Sequence, residues 1–187
     1  MTHPALETEL CRRVGCRLPI VQTAMAYVAT PRLVSATAQA GGLGILAAAV
    51  LSVDEVDRAI GEIQEATDQP FGVGFLMEQP GAERIVETLV RRGVRVAAYN
   101  RAPSAALVAK LKDGGVLCMP TVGAVAHATK AVALGADLLV VQGAEGGGHT
   151  GTVPTTLLLP QVIASVDVPV VAAGGFRDGD GLVAAHA

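Results

Sequence analysis

The sequence predicts an α/β fold, a TIM (β/α)8-type barrel that is incomplete, with about seven βα units and the eighth strand missing. Three observations carry this reading. Short β-branched runs alternate with longer helical stretches, which implies parallel strands joined by helical crossovers. The units recur at nearly even spacing without a large break, so residues 1–187 read as a single domain. The chemically informative residues fall where the strands end, the carboxyl edge at which such a barrel carries its functional loops. A doubly wound sheet also places its loops there, so the barrel rests on the even spacing.

The first strand is expected over 19–23, and its helix starts near Pro31 and ends at Gly41-Gly42. Proline suits a first helical turn, where its missing N–H is not needed, and glycine suits the position just past a helix. The second strand covers 43–47. Ser52 then caps a helix with Glu55 three residues on, the reciprocal pairing of a capping box. The apolar positions Val53, Val56, Ile60 and Ile63 of that helix recur at helical spacing. A third strand at 71–75 leads to a helix over 82–92, which Gly93 stops. The fourth strand is expected at 94–98 and its helix from Ser104 to Lys112, after which Gly114-Gly115 introduce a fifth strand at 116–119. A helix over 124–134 ends at Gly135, ahead of a sixth strand at 138–141. Beyond a glycine-rich loop come a helix over 155–165, a seventh strand at 169–173, the Gly174-Gly175 corner and a last helix over 179–187.

Composition narrows the function classes. With 51% hydrophobic and 17% charged residues the chain can build a packed core, which argues against disorder. A net charge of −3, with no Lys/Arg cluster beyond pairs such as Arg91-Arg92, excludes nucleic acid as the main partner. Cys11, Cys16 and Cys118 lack the paired spacing of a zinc site and are expected to be reduced thiols. The polar, acidic start has no signal-peptide pattern and no spanning segment is visible, so a cytoplasmic protein without a membrane partner is expected. Asp178 and Asp180 stand beside glycines with no third oxygen ligand near, and read as a turn and helix start; no metal site is expected.

The run 140–151, VVQGAEGGGHTG, places three glycines directly ahead of a histidine at the end of an apolar strand. Without Cβ atoms, Gly146, Gly147 and Gly148 let a planar or phosphorylated ligand approach the backbone N–H groups. His149 can act there as acid, base or hydrogen-bond donor. Bare backbone beside one titratable side chain points to a cofactor site. Structural roles compete at each position: a tight loop with a solvated histidine, Gln142 as a strand cap, Met25 as ordinary core. Gly41, Gly42 and Gly44 read as helix closure and tight packing, and His127 as a surface residue within a helix.

Four motifs in order, PIVQTAMA at 19–26, AGGLGIL at 40–46, GADLLVVQGAEGGGHTG at 135–151 and PVVAAGGF at 169–176, resemble the nitronate monooxygenase family, formerly called 2-nitropropane dioxygenases. The same set is shared by relatives that reduce enoyl thioesters on acyl carrier protein or act on coenzyme A thioesters in steroid-ring breakdown. The resemblance implies a barrel holding FMN across the carboxyl ends of its strands. It implies that Gln22, Thr23, Ala24 and Met25 lie beside the flavin ring and that Gln142 hydrogen-bonds the ring's polar edge. By the same resemblance Gly146, Gly147 and Gly148 allow backbone approach, Gly174 and Gly175 cradle the ribityl phosphate, and His149 is the active-site histidine. Where the family often has asparagine at the end of the third strand, this sequence has Gly74, so one polar flavin contact is missing.

The implied activity is oxidation of an alkyl nitronate with O2, a small-molecule substrate, with His149 holding the anion or positioning a proton. The alternative is an NAD(P)H-dependent flavin reductase acting on enoyl-ACP or CoA thioesters, where His149 protonates or polarises the substrate. Members of the family continue past the seventh unit with an eighth strand and a second phosphate-binding motif, whereas this sequence ends at LVAAHA. The chain is therefore expected to be C-terminally truncated. That leaves a third reading, a non-catalytic remnant or a half-site completed by a homo-oligomeric copy or another chain.

Overall fold

Seven parallel strands form one sheet: β1 (Val21–Gln22), β2 (Leu43–Ala47), β3 (Phe71–Leu76), β4 (Val96–Asn100), β5 (Leu117–Val122), β6 (Leu139–Gln142) and β7 (Val170–Ala173). They stand in strict chain order. A doubly wound sheet would break that order at a switch point, so the order decides for a barrel wall, here a curled half-barrel. The computed structural model describes residues 3–100 and 104–186, and no eighth strand occurs among them. The connecting helices are α2 (Pro31–Ala40), α3 (Val53–Ala66), α4 (Ala82–Arg92), α5 (Ala105–Asp113), α6 (Val125–Ala133) and α7 (Thr155–Ile163), with α8 (Gly179–His186) after the last strand. The expected end of that helix at Ala187 lies outside the described residues.

Strand residues alternate between two cores, as the two-residue period of a strand requires. Ala97 and Tyr99 of β4 and Cys118 of β5 face the helices with Val56, Ile60, Ile85, Leu89 and Leu111. Leu43, Ile45, Val96, Met119 and Leu138 fill the concave side with Leu10, Cys11, Val14 and Cys16. These last four come from an element that the sequence reading does not contain, α1 (Glu9–Val14) and its exit. The Arg95 guanidinium, just ahead of β4, donates to the carbonyls of Arg13 and Val14, and Arg13 donates to the Asp137 carbonyl ahead of β6. α1 therefore closes the amino edge of the sheet and leaves the carboxyl edge open. The three cysteines are buried free thiols, and burial, reinforced by Cys11, pushes the Cys16 thiol up to about 12.

Several boundaries move for identifiable reasons. The first strand pairs over two residues only, Val21 with Leu43 and Gln22 with Gly44. β4 and β5 begin and end later than expected because Val94 N–H bonds back to Leu89 O and Val116 N–H to Leu111 O, each closing the preceding helix. The capping box at Ser52 and Glu55 is present. Gly41, Gly42 and Gly44 are structural: a Cβ on Gly44 would lie 2.5 Å from Val34 O of α2, and Gly41 caps that helix at φ +102°. Asp178 Oδ1 accepts from Gly181 N–H at 3.2 Å, which makes it the start of α8, as expected. No cluster of potential metal ligands occurs among the described residues, and no helix is long and apolar enough to cross a membrane.

Candidate functional site

The ends of β1, β6 and β7 carry the residues that the sequence singles out. At the end of β1, the Gln22 amide donates to the Thr23 carbonyl and, at 3.3 Å, to Ile45 O of β2. Its Oε1 is buried and has no hydrogen-bond partner among the described residues. An unpartnered buried acceptor is costly and uncommon, and in a native fold it calls for a donor from elsewhere. Thr23 is exposed, Ala24 half-buried and Met25 exposed, so Met25 is not part of the core. Ala24 sits directly against Gly74 at the end of β3, where a Cβ on residue 74 would collide with its methyl group. Glycine at 74 and alanine at 24 thus answer each other, and the space for a side chain at the end of β3 is already taken.

After β6 the chain forms a closed loop. Gly143 N–H bonds to Ala173 O at 3.1 Å, extending the β6–β7 pairing, and Ala144 N–H bonds to Val153 O at 2.9 Å, closing the loop's base. Gln142 Nε2 donates to Gly147 O at 2.9 Å from inside the loop. A Cβ on Gly146 would lie 2.6 Å from Gln142 Cγ, so a side chain there would displace Gln142 from its bond to Gly147 O. Gly147 and Gly148 differ: a Cβ on either meets nothing within 4 Å, and Gly148 takes φ +76°. His149 stands exposed beyond them at the loop's tip, and its imidazole makes no hydrogen bond among the described residues.

Two contacts that the sequence reading does not contain fix this loop. Glu145 Oε2 accepts from Thr155 N–H at 2.9 Å and from Thr155 Oγ1 at 2.7 Å. Pro154, at the N-cap of α7, offers no side-chain cap, and Glu145 supplies one from ten residues upstream. The Thr155 hydroxyl and N–H hold the Glu145 carboxyl below the usual carboxylate range. The only sequence signal was the proline at a helix start that has no acceptor of its own. The second contact is at Gly174, φ +101°, where a Cβ would lie 2.9 Å from both Gly146 N and Thr155 Oγ1. Gly175 follows at φ +84°. The loops after β6 and β7 therefore interlock through glycines.

The nitronate monooxygenase family profile matches residues 8–89 and 82–187. The chain belongs to the nitronate monooxygenase family. Among relatives, a "(3aS,4S,5R,7aS)-5-hydroxy-7a-methyl-1-oxo-octahydro-1H-indene-4-carboxyl-CoA dehydrogenase" of Rhodococcus jostii (strain RHA1) is 53% identical over 182 residues, 97% of this chain and 52% of that protein. Of solved structures, FabK from Thermotoga maritima superposes with a TM-score of 0.92 at 35% identity, over 96% of this chain and 58% of its own. A nitroalkane oxidase from Streptomyces ansochromogenes gives a TM-score of 0.86 at 31% identity, over 94% and 64% respectively. The chain spans about half the length of the dehydrogenase it matches. This membership of the nitronate monooxygenase family accounts for the four motifs and for the seven-stranded wall.

Proposed function

We propose that this chain carries the FMN-binding face of an oxidoreductase that dehydrogenates a hydroxylated, fused-ring carboxylic acid held as its CoA thioester. The observation that carries the cofactor is the buried, unpartnered Oε1 of Gln22, the residue that ends β1, while the open glycines follow the end of β6 at the same edge of the parallel sheet. An isoalloxazine N–H is a donor of the kind that this acceptor needs. Gly147 and Gly148 leave their backbone open to a ligand, and the left-handed Gly174-Gly175 corner suits a phosphate-bearing chain. When bound, FMN would supply the hydride exchange that no side chain can perform.

The protein's own residues then bind, orient and move a proton. Removing hydrogen from a secondary alcohol requires a base for the hydroxyl proton, and an imidazole nitrogen of His149, free of other partners, is suited to accept it. The interlock of Glu145, Thr155 and Gly174 fixes the base of the loop that carries His149. The substrate class is supported by the 53% identity to the CoA dehydrogenase, against 31% to the nitroalkane oxidase. Nitronate oxidation is the second reading, favoured by the family profile.

Titration of the purified protein with FMN, followed by anaerobic mixing with the hydroxylated ring thioester or with propyl-2-nitronate, tests both parts. Bound flavin absorbance, bleached by the thioester and not by the nitronate, is expected. A protein that takes up no FMN overturns the cofactor; bleaching by the nitronate alone overturns the substrate. His149→Ala should retain flavin and slow bleaching by about 10²–10⁴-fold. Unchanged bleaching removes His149 from the chemistry.

A further inference from the structure

Tyr27 is the only residue other than glycine with a positive φ among the described residues, at +62°. A bulky aromatic residue is disfavoured in the left-handed region, and the conformation persists only where its surroundings impose it. Here the backbone imposes it: Val28 N–H and Ala29 N–H both bond to Met25 O, at 3.1 and 2.8 Å, and Thr30 N–H bonds to Val28 O at 2.8 Å. Ala29 O in turn receives Ala47 N–H at the end of β2, at 3.1 Å. The side chain has no share in that scaffold, because Tyr27 is 84% exposed. Glycine would take the same turn without strain, so the phenol ring gains nothing inside the described fold.

The same turn leaves Met25 40% and Val28 56% exposed. Three exposed side chains with apolar surface therefore lie on the connection leaving β1, within six residues of Gln22 at that strand's end. The segment 23–29, TAMAYVA, contains no charged residue. It cannot answer the phosphates of coenzyme A, and it suits an uncharged ring system.

We propose that Tyr27, with Met25 and Val28, forms the subsite for the fused-ring acyl group of the thioester. The inference rests on the CoA-thioester reading above. Tyr27 is a specificity-determining residue that selects the acyl group by ring contact and takes no part in proton transfer.

Calorimetric titration of the FMN-loaded protein with octahydroindene-4-carboxyl-CoA and with acetyl-CoA tests it, using wild type, Tyr27→Gly and Tyr27→Phe. Wild type and Tyr27→Phe should prefer the bicyclic thioester. Tyr27→Gly should lose about tenfold in affinity for it and be unchanged toward acetyl-CoA. Its melting temperature should equal or exceed that of wild type, since glycine relieves the turn. Labelling with 3-fluorotyrosine gives an independent readout, because the chain has two tyrosines and the other, Tyr99, is buried. The Tyr27 resonance should shift with the bicyclic thioester and stay in place with acetyl-CoA. If Tyr27→Gly keeps the full preference, or the resonance does not move, the subsite is overturned while the CoA-thioester reading stands. If wild type binds neither thioester, both fall.

Discussion

At Gly174, a Cβ would lie 2.9 Å from a backbone nitrogen and from the hydroxyl of Thr155, and φ is +101°. Neither neighbour is the free end of a flexible chain, so Gly174→Ala is expected to cost about 2–4 kcal/mol through backbone strain and overpacking. The denaturant midpoint should fall with an unchanged m-value. Gly147 gives the opposite expectation, since a Cβ there meets nothing within 4 Å. Gly147→Ala should leave stability within about 0.5 kcal/mol, and a selective loss of FMN affinity in that variant would locate the glycine's role at the ligand. The three glycines ahead of His149 look alike in the sequence. They differ in the fold because the atoms that define each one's space belong to other parts of the chain: Gln142 for Gly146, and open space for Gly147 and Gly148. Gly74 was legible only as a departure from the family pattern; that Ala24 fills its space depends on a contact across β2 that no local pattern encodes.

Among the elements, α7 shows most clearly how the candidate site is held. Its start has a proline at the N-cap, and the acceptor comes from Glu145 inside the preceding loop. Because the folded state holds this carboxyl below the usual range, its charge stabilises the fold above the unfolded carboxyl's ordinary value, about 4.3. That contribution is lost as pH falls from there through the folded value. Glu145→Gln, which keeps the shape and removes the charge, should melt below wild type at pH 7, and the gap should shrink as pH falls below about 4.3. A gap that is constant with pH would mean that the charge adds nothing. The cap of α7 is not local, whereas the α2 to α6 crossovers were readable because their end signals, such as Gly41, Ser52, Gly93 and Ser104, and their periodicity are local. α1 was not, because six residues are too few to display a helical period, and its identity as the plug of the amino edge comes from Arg95 and Asp137, far along the chain.

For the whole molecule, strand order and burial together set how stability is distributed. All five residues of β2 are buried, as are the first five of β3, whereas the four residues of β7 are only half-buried and β1 pairs over just two. Interior strands have neighbours on both sides and helices packed on their outer face, so exposing their amides requires opening the cores of Ile60, Ile85 and Leu89 or of Ile45, Val96 and Met119. At β1 and β7 the sheet has an edge, and an edge opens without that cost. Amide exchange should therefore be slowest in β2, β3 and β4, near the global unfolding limit, and at least about tenfold faster in β1 and β7, a difference of about 1.4 kcal/mol in local opening. Hydrogen-exchange mass spectrometry reads this by peptide, with light scattering on the same samples. Exchange in β7 as slow as in β3 would contradict the gradient. If the scattering mass then doubled, the β7 edge would be covered by a second copy of the chain. If it did not, the half-buried β7 would be as firmly held as the interior of the sheet, and burial would no longer rank the strands.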